Sequence, residues 1–201
     1  TMPSTILETL VKNNVYKGPY YGNNLPESEG FFHTTEYLYD LPKESPFAIP
    51  WWFRTEFIIP PSEDYIWLEF SSINYKANIW LNGSMIADTI LIEGAHRLYE
   101  LDITDNLIAG GKNCLALEII PPVNGTDLSI RWMQGSRMIP DKDAGIWYDV
   151  KIVRNGNMKI RYPHIITDMD LPDTTRAYVS ITADLYNNGD ETASITGSDN
   201  K

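Results

Sequence analysis

From residue 51 onward, apolar and polar residues trade places at every second position, and that period of two commits most of the chain to strands. In "WWFRTEFII", residues 51–59, Trp51, Phe53, Phe57 and Ile59 alternate with Trp52, Arg54, Glu56 and Ile58. "YIWLEFSSI" and "KANIWLNG" behave similarly, Asn113 to Ile120 reads as a further strand, and "AGIWYDVKIVR" reads as one more. Successive side chains of a strand point to opposite faces, so each run buries one face and turns the other outward. Short strands separated by turn signals, with little helix, predict an antiparallel sandwich of the jelly-roll kind. The one clear helix is expected at residues 5–13, where Thr5 and Glu8 have capping-box spacing and Ile6, Leu7, Leu10 and Val11 share a face. "NGS" at Asn82 and "NGT" at Asn124 fit a glycosylation acceptor pattern, but Asn-Gly is also a turn signal, and both are read as turns.

The chain has 201 residues, 43% of them hydrophobic and 12% aromatic, with six Trp and twelve Tyr, enough for a real core. A formal net charge of −11, with no run of Lys or Arg, argues against a nucleic-acid partner or an anionic membrane. No stretch has the eighteen or so unbroken apolar residues of a membrane span. Cys114 is the only cysteine, which excludes an internal disulfide and a zinc cluster; it is expected to be a buried strand residue. "TMPSTILETL" has neither the charged nor the apolar region of a leader. The compartment is not legible from these features, and a periplasmic or extracellular setting is expected over a cytoplasmic one. There is no Gly-rich phosphate loop between a strand and a helix, and His33, His96 and His164 lack metal-ligand spacing, so no cofactor or metal is expected. A calcium site built from turn carbonyls would leave no readable pattern.

Near "IRYPHIITDMDLPD" the character changes, and this stretch reads as a junction. Beyond it Ala177, Val179, Ile181, Ala183 and Leu185 alternate with polar neighbours before "YNNGDE" turns the chain towards "TASITG". This reads as the first two strands of a second sandwich, too few for an immunoglobulin-like domain of about seven strands, and so as part of a longer protein. The expected division is residues 1–157 and 158–201.

Five stretches, in order, are "MPSTILETLVKNNVYKGPYYGNN", "WWFRTEF", "WLEFSSINYKANIWLNGSMIAD", "LDITDNLIAGGKNCLALEI" and "PDKDAGIWYDVKI". Together they resemble the N-terminal sugar-binding, galactose-binding-like domain of glycoside hydrolase family 2, and "GPYYGNN" and "PDKDAGIW" are most similar to its exo-β-glucosaminidase and β-mannosidase branch. The resemblance implies an all-β chain: a galactose-binding-like jelly-roll β-sandwich, then the first strands of an incomplete immunoglobulin-like β-sandwich. In that family a (β/α)₈ barrel follows and carries both catalytic carboxylates, so this chain alone is expected to hydrolyse nothing. Its implied partners are its own downstream immunoglobulin-like and barrel domains and, within the full enzyme, a β-linked glycoside.

The resemblance also points to candidate sugar contacts. The family's domain sends a loop ending in the Gly-Ile-Trp strand into the mouth of the barrel. Asp141 lies four residues before Gly145 and matches the aspartate of the pattern "P-D-K-N-M-G-I-W", whereas Asp143 stands where that pattern has Asn. Asp141 is therefore the first candidate for accepting a sugar hydroxyl and Asp143 the second; the competing reading makes both solvated turn residues. Trp132 could offer a face to a sugar ring, or pack in the core. Trp51, Trp52, Trp67, Trp80 and Trp147 lie within strand patterns and are read as core or interdomain residues. Two other functions fit the same pattern: a free-standing carbohydrate-binding module, and a structural or interaction sandwich.

Overall fold

The computed structural model describes residues 3–16, 45–123, 126–128, 141–189, 192 and 194. They form an all-β jelly-roll fold with one short α-helix. The chain divides into two compact units, residues 1–62 with 67–153, and residues 63–66 with 154–201.

In the first unit, β1 (Ser4–Thr5) leads into α1 (Ile6–Lys12). Thr5 caps the helix, its Oγ1 accepting the Glu8 N–H at 3.2 Å. Glu8 reaches back to the Thr5 backbone N–H, as the expected capping box requires. Its carboxylate pairs with Lys12 one turn on, at 2.7 Å, and accepts the Ser4 hydroxyl at 3.2 Å. Only Ile6 of the helix is fully buried.

The strands are β2 (Trp51–Ile58), β3 (Tyr65–Phe70), β4 (Ile73–Asn74), β5 (Lys76–Leu81), β6 (Ser84–Ala87), β7 (Tyr99–Asp102), β8 (Lys112–Ile120), β9 (Gly145–Ile146) and β10 (Val150–Asn155). They make three sheets, ordered β2-β8-β5-β6, β10-β3-β7 and β1-β9-β4. The expected alternation is present: in β8 Leu115, Leu117 and Ile119 are buried, as are Ala77, Ile79 and Leu81 in β5. Cys114 lies on β8 as expected but is only half-buried, because the inward phase of that strand belongs to its neighbours Asn113 and Leu115. The single strand expected over "AGIWYDVKIVR" is two. β9 pairs with both β1 and β4, β10 joins the sheet of β3, and Trp147 to Asp149 carry the chain between them.

Asn82 and Gly83 join β5 to β6 with φ of 53° and 86°, the pair of positive values that a two-residue hairpin turn demands. The Asn82 side chain is consumed in holding it: Oδ1 accepts from Cys114 N at 2.9 Å, and Nδ2 donates to Asn113 Oδ1 at 2.8 Å and Asn106 O at 2.9 Å. Asn124 lies outside the described residues.

The second unit is dominated by an antiparallel hairpin of β11 (Met158–Asp168) and β12 (Tyr178–Asn187). The stretch read as a junction is thus largely a strand, and it pairs with β12. Periodicity hides this because the register shifts between Arg161 and His164, where Tyr162 has φ of 50° and Pro163 has no N–H to give the ladder. Most of "TASITG" is outside the described residues.

Candidate functional site

Between Asp141 and Gly145 the backbone takes a path that few residue types tolerate: φ is 52° at Lys142, 55° at Asp143 and 153° at Gly145. The last of these is enforced by crowding. A Cβ on Gly145 would stand 2.5 Å from Ser4 O and 2.6 Å from Thr5 Cα, because β1 crosses directly over it in register Thr5 to Gly145.

Polar groups at the centre of the domain hold this turn from several sides. The fully buried Asn74 donates through Nδ2 to Lys142 O at 3.1 Å and Asp143 O at 2.9 Å. Trp147 Nε1 donates to Asp143 O at 2.8 Å, and Ile6 N donates to Ala144 O at 2.9 Å. The Lys142 stem is buried and its ammonium reaches Pro122 O at 3.0 Å. Each bond satisfies a backbone carbonyl that burial would otherwise leave at a cost.

Asp141 has 0% exposure. Its Oδ2 accepts the Leu7 N–H, in the first turn of α1, at 2.7 Å, and its Oδ1 accepts the Asp143 N–H at 3.1 Å. Burial pushes its carboxyl group up from the ordinary aspartate value, while the Leu7 N–H, the Thr5 hydroxyl and the Asp143 N–H favour the charged form and oppose that rise. The chemistry of this carboxylate is therefore to join the start of the chain to a turn 134 residues later. Asp143 is also buried, at 6% exposure, so neither aspartate is the solvated turn residue of the competing reading. Trp132 lies outside the described residues.

Beside the turn, Pro3, Ser4, Thr5, Glu8 and Trp147 line an open cavity of about 300 Å³. Lys12 beside it holds the Glu8 carboxyl below the usual glutamate range. A larger cleft of about 590 Å³, lined by Phe53, Phe57, Leu68, Leu115, Leu117 and Ile152 among others, is the apolar gap between inward-facing strand residues. Among the described residues no group of three or more His, Cys, Asp or Glu could hold a metal ion, and no helix is long and apolar enough to cross a membrane.

Residues 1–131 match the family model described as the glycosyl hydrolase 2 galactose-binding domain-like family. The chain belongs to that family. This family 2 domain is 30% identical over 197 residues to an exo-β-D-glucosaminidase of Streptomyces avermitilis, covering 97% of this chain and 20% of that protein. It is 32% identical over 206 residues to a mannosylglycoprotein endo-β-mannosidase of Lilium longiflorum, covering 92% of this chain and 20% of the relative. Among solved structures it is similar to the exo-chitosanase CsxA of Amycolatopsis orientalis, with a TM-score of 0.75 and 27% identity over 93% of this chain and 20% of that one. The chain spans about a fifth of the length of these relatives.

Two tryptophans set aside in the sequence, Trp52 and Trp80, turn out to face away from the core, one of them more than half exposed. The signal that places them is their phase: each sits between inward residues of its own strand.

Proposed function

We propose that this chain is the non-catalytic N-terminal domain of a retaining β-glycosidase that removes glucosamine or mannose units from β-linked glycans. The observation that carries the proposal is a match running along nearly the whole chain yet over only a fifth of an exo-β-D-glucosaminidase. In this reading the domain supports a separate (β/α)₈ barrel holding the two carboxylates, about 5 Å apart, that retention requires. Its Asp141–Gly145 turn borders the sugar pocket, with Asp143 and Trp132 as the residues offered to sugar and Asp141 as the group that fixes the turn. The two backbone N–H groups that Asp141 accepts, from Leu7 and Asp143, support its part in that division. Residues 158–201 open an immunoglobulin-like sandwich; the support is that Ile160, Ile165 and Ile181 of the β11–β12 hairpin are exposed, and a two-stranded sheet with such surface calls for a second layer.

The test compares two proteins on p-nitrophenyl β-D-glucosaminide and β-D-mannoside: the product of the complete native reading frame and the 201-residue chain. Turnover by the first and none by the second is expected. Turnover by the 201-residue chain after repurification, or a native frame that encodes no barrel, would sink the proposal.

A further inference from the structure

Strand phase puts an aromatic pair on the outside of the four-stranded sheet. In β2 the partly buried positions are Trp51, Phe53 and Phe57, so Trp52 points the other way and keeps 57% of its surface exposed. In β5 the buried Ala77, Ile79 and Leu81 leave Trp80 on that same outer face. β8 runs between these two strands. Strands two apart in a sheet are separated by about 9.5 Å. Yet the indole centroids are 4.9 Å apart, with the ring planes tilted by 35°. Ala116 explains how they meet: it is the β8 residue opposite both Trp80 and Arg54, and its methyl group leaves room for the rings to lean together above it.

The rim of the pair is polar and held in place. Trp52 lies opposite Glu118, and Glu118 lies opposite Asn78 on the far side of β8. Asn78 donates to Glu118 Oε2 at 2.9 Å and accepts from Thr89 N at 3.1 Å, which fixes the amide and steadies the carboxylate. The neighbouring charges neutralise each other, Glu56 pairing with Arg54 at 2.6 Å and Lys112 at 2.8 Å, so Glu118 is the carboxylate offered beside the indoles. Tryptophan gains more than almost any side chain from burial, so a braced indole left open beside a fixed carboxylate and amide suits a ligand with one apolar and one polar aspect.

We propose that this outer face binds β-linked glucosamine oligosaccharides, with Trp52 stacked on the C–H face of a pyranose ring, Trp80 bracing Trp52, and Glu118 accepting from the ring's ammonium group. The choice of an amino sugar rests on the β-glycosidase reading above; the aromatic platform rests on the surface itself. A β-pyranose presents axial C–H groups to an aromatic plane while its equatorial groups reach sideways to the rim. The ammonium of glucosamine makes a charge-assisted bond to a carboxylate, and a chain with a net charge of −11 attracts a polycation over distance.

The 201-residue chain is titrated calorimetrically with the fully deacetylated glucosamine hexamer and, separately, with cellohexaose. Saturable binding is expected, weakened roughly tenfold or more by Trp52→Ala. The exposed position of Trp52 leaves that variant folded, which its far-ultraviolet dichroism checks. Glu118→Gln should weaken the glucosamine hexamer several-fold and leave cellohexaose unchanged, and added salt should erode the same difference. Failure of the wild-type chain to bind either sugar overturns the site. So does equal binding by wild type and Trp52→Ala, which would place the sugar away from this face. Equal loss of both sugars in Glu118→Gln overturns the amino-sugar assignment. A native-length protein that cleaves glucosaminides while the chain ignores the hexamer sinks this inference alone, whereas Trp52-dependent binding beside an inactive native-length protein sinks the glycosidase reading alone.

Discussion

Replacing Asp141 by alanine removes the acceptor that the Leu7 N–H reaches at 2.7 Å and the Asp143 N–H at 3.1 Å. Each backbone donor stranded in this way costs about 1–3 kcal/mol. Leu7 is only half-buried, so water can recover part of its bond, and the sum is placed at about 3 kcal/mol. Against the roughly 5–15 kcal/mol of an ordinary domain this is a large fraction. It lowers Tm by roughly 6–12 °C in a chain of this size. The loss comes from the stranded donors rather than from the charge, since burial already disfavours the ionised carboxylate. Asp141→Asn keeps one acceptor oxygen but sets its NH2 group against the other N–H, so it strands one donor instead of two and is expected to cost about half as much. Urea unfolding of both variants, followed by circular dichroism, measures this as a shift in midpoint at constant slope. An alanine variant within about 0.5 kcal/mol of wild type would refute the reasoning, because a carboxylate whose only task is to meet a sugar leaves fold stability untouched.

Gly145→Ala should cost at least as much as Asp141→Ala, since its Cβ would meet Ser4 O at 2.5 Å at a φ of 153°; a soluble variant with wild-type Tm contradicts this. Asn82→Ala removes the positive-φ residue of the hairpin and three side-chain hydrogen bonds, and should cost about 2–3 kcal/mol in the same urea assay. The pH profile of stability carries a component from Asp141. Its folded pKa is raised, so the folded state holds the proton more tightly, and the contribution is full below the unfolded value of about 3.9 and declines as pH rises through the folded value. The difference in stability between wild type and Asp141→Asn, measured from pH 3 upward, should therefore shift against the wild type as pH increases through roughly this window and then level off; a difference that is flat or of opposite slope refutes it.

Elements whose cause is local were legible in the sequence. β2, β5 and β8 follow from alternation within a few residues, and the Asn82-Gly83 turn from two residue types that accept positive φ. Elements whose cause lies elsewhere in the chain were not. "AGIWYDVKIVR" alternates without interruption, yet it splits because its two ends belong to different sheets. β11 breaks its own period at Tyr162-Pro163, and only its partner β12 reveals it as a strand. At the candidate site, "PDKD" has the composition of a solvated turn, and composition says nothing of a helix N-terminus 134 residues away that takes up the first aspartate.

That distance bears on how the turn can serve a binding pocket. A carbonyl or carboxylate contributes to recognition only if it is held within a fraction of an ångström of its productive position, and a surface turn of polar residues is not held that well. Here Lys142 and Asp143 both sit at positive φ, which costs of order 1 kcal/mol or more apiece and persists only where the surroundings over-determine it. The surroundings are the Asn74 amide below, the Trp147 indole, the Lys142 ammonium on Pro122, and the α1 N-terminus gripping Asp141. Removing any one leaves the others, so the turn should loosen by degrees rather than collapse, and sugar affinity should fall in step with the stability lost at each support. Asn74→Ala and Asp141→Asn give two points on that relation, with stability read by urea and affinity by KM in the native-length protein. If KM stays at the wild-type value while stability falls in both variants, the turn is a structural corner of the jelly roll and the sugar contacts lie elsewhere.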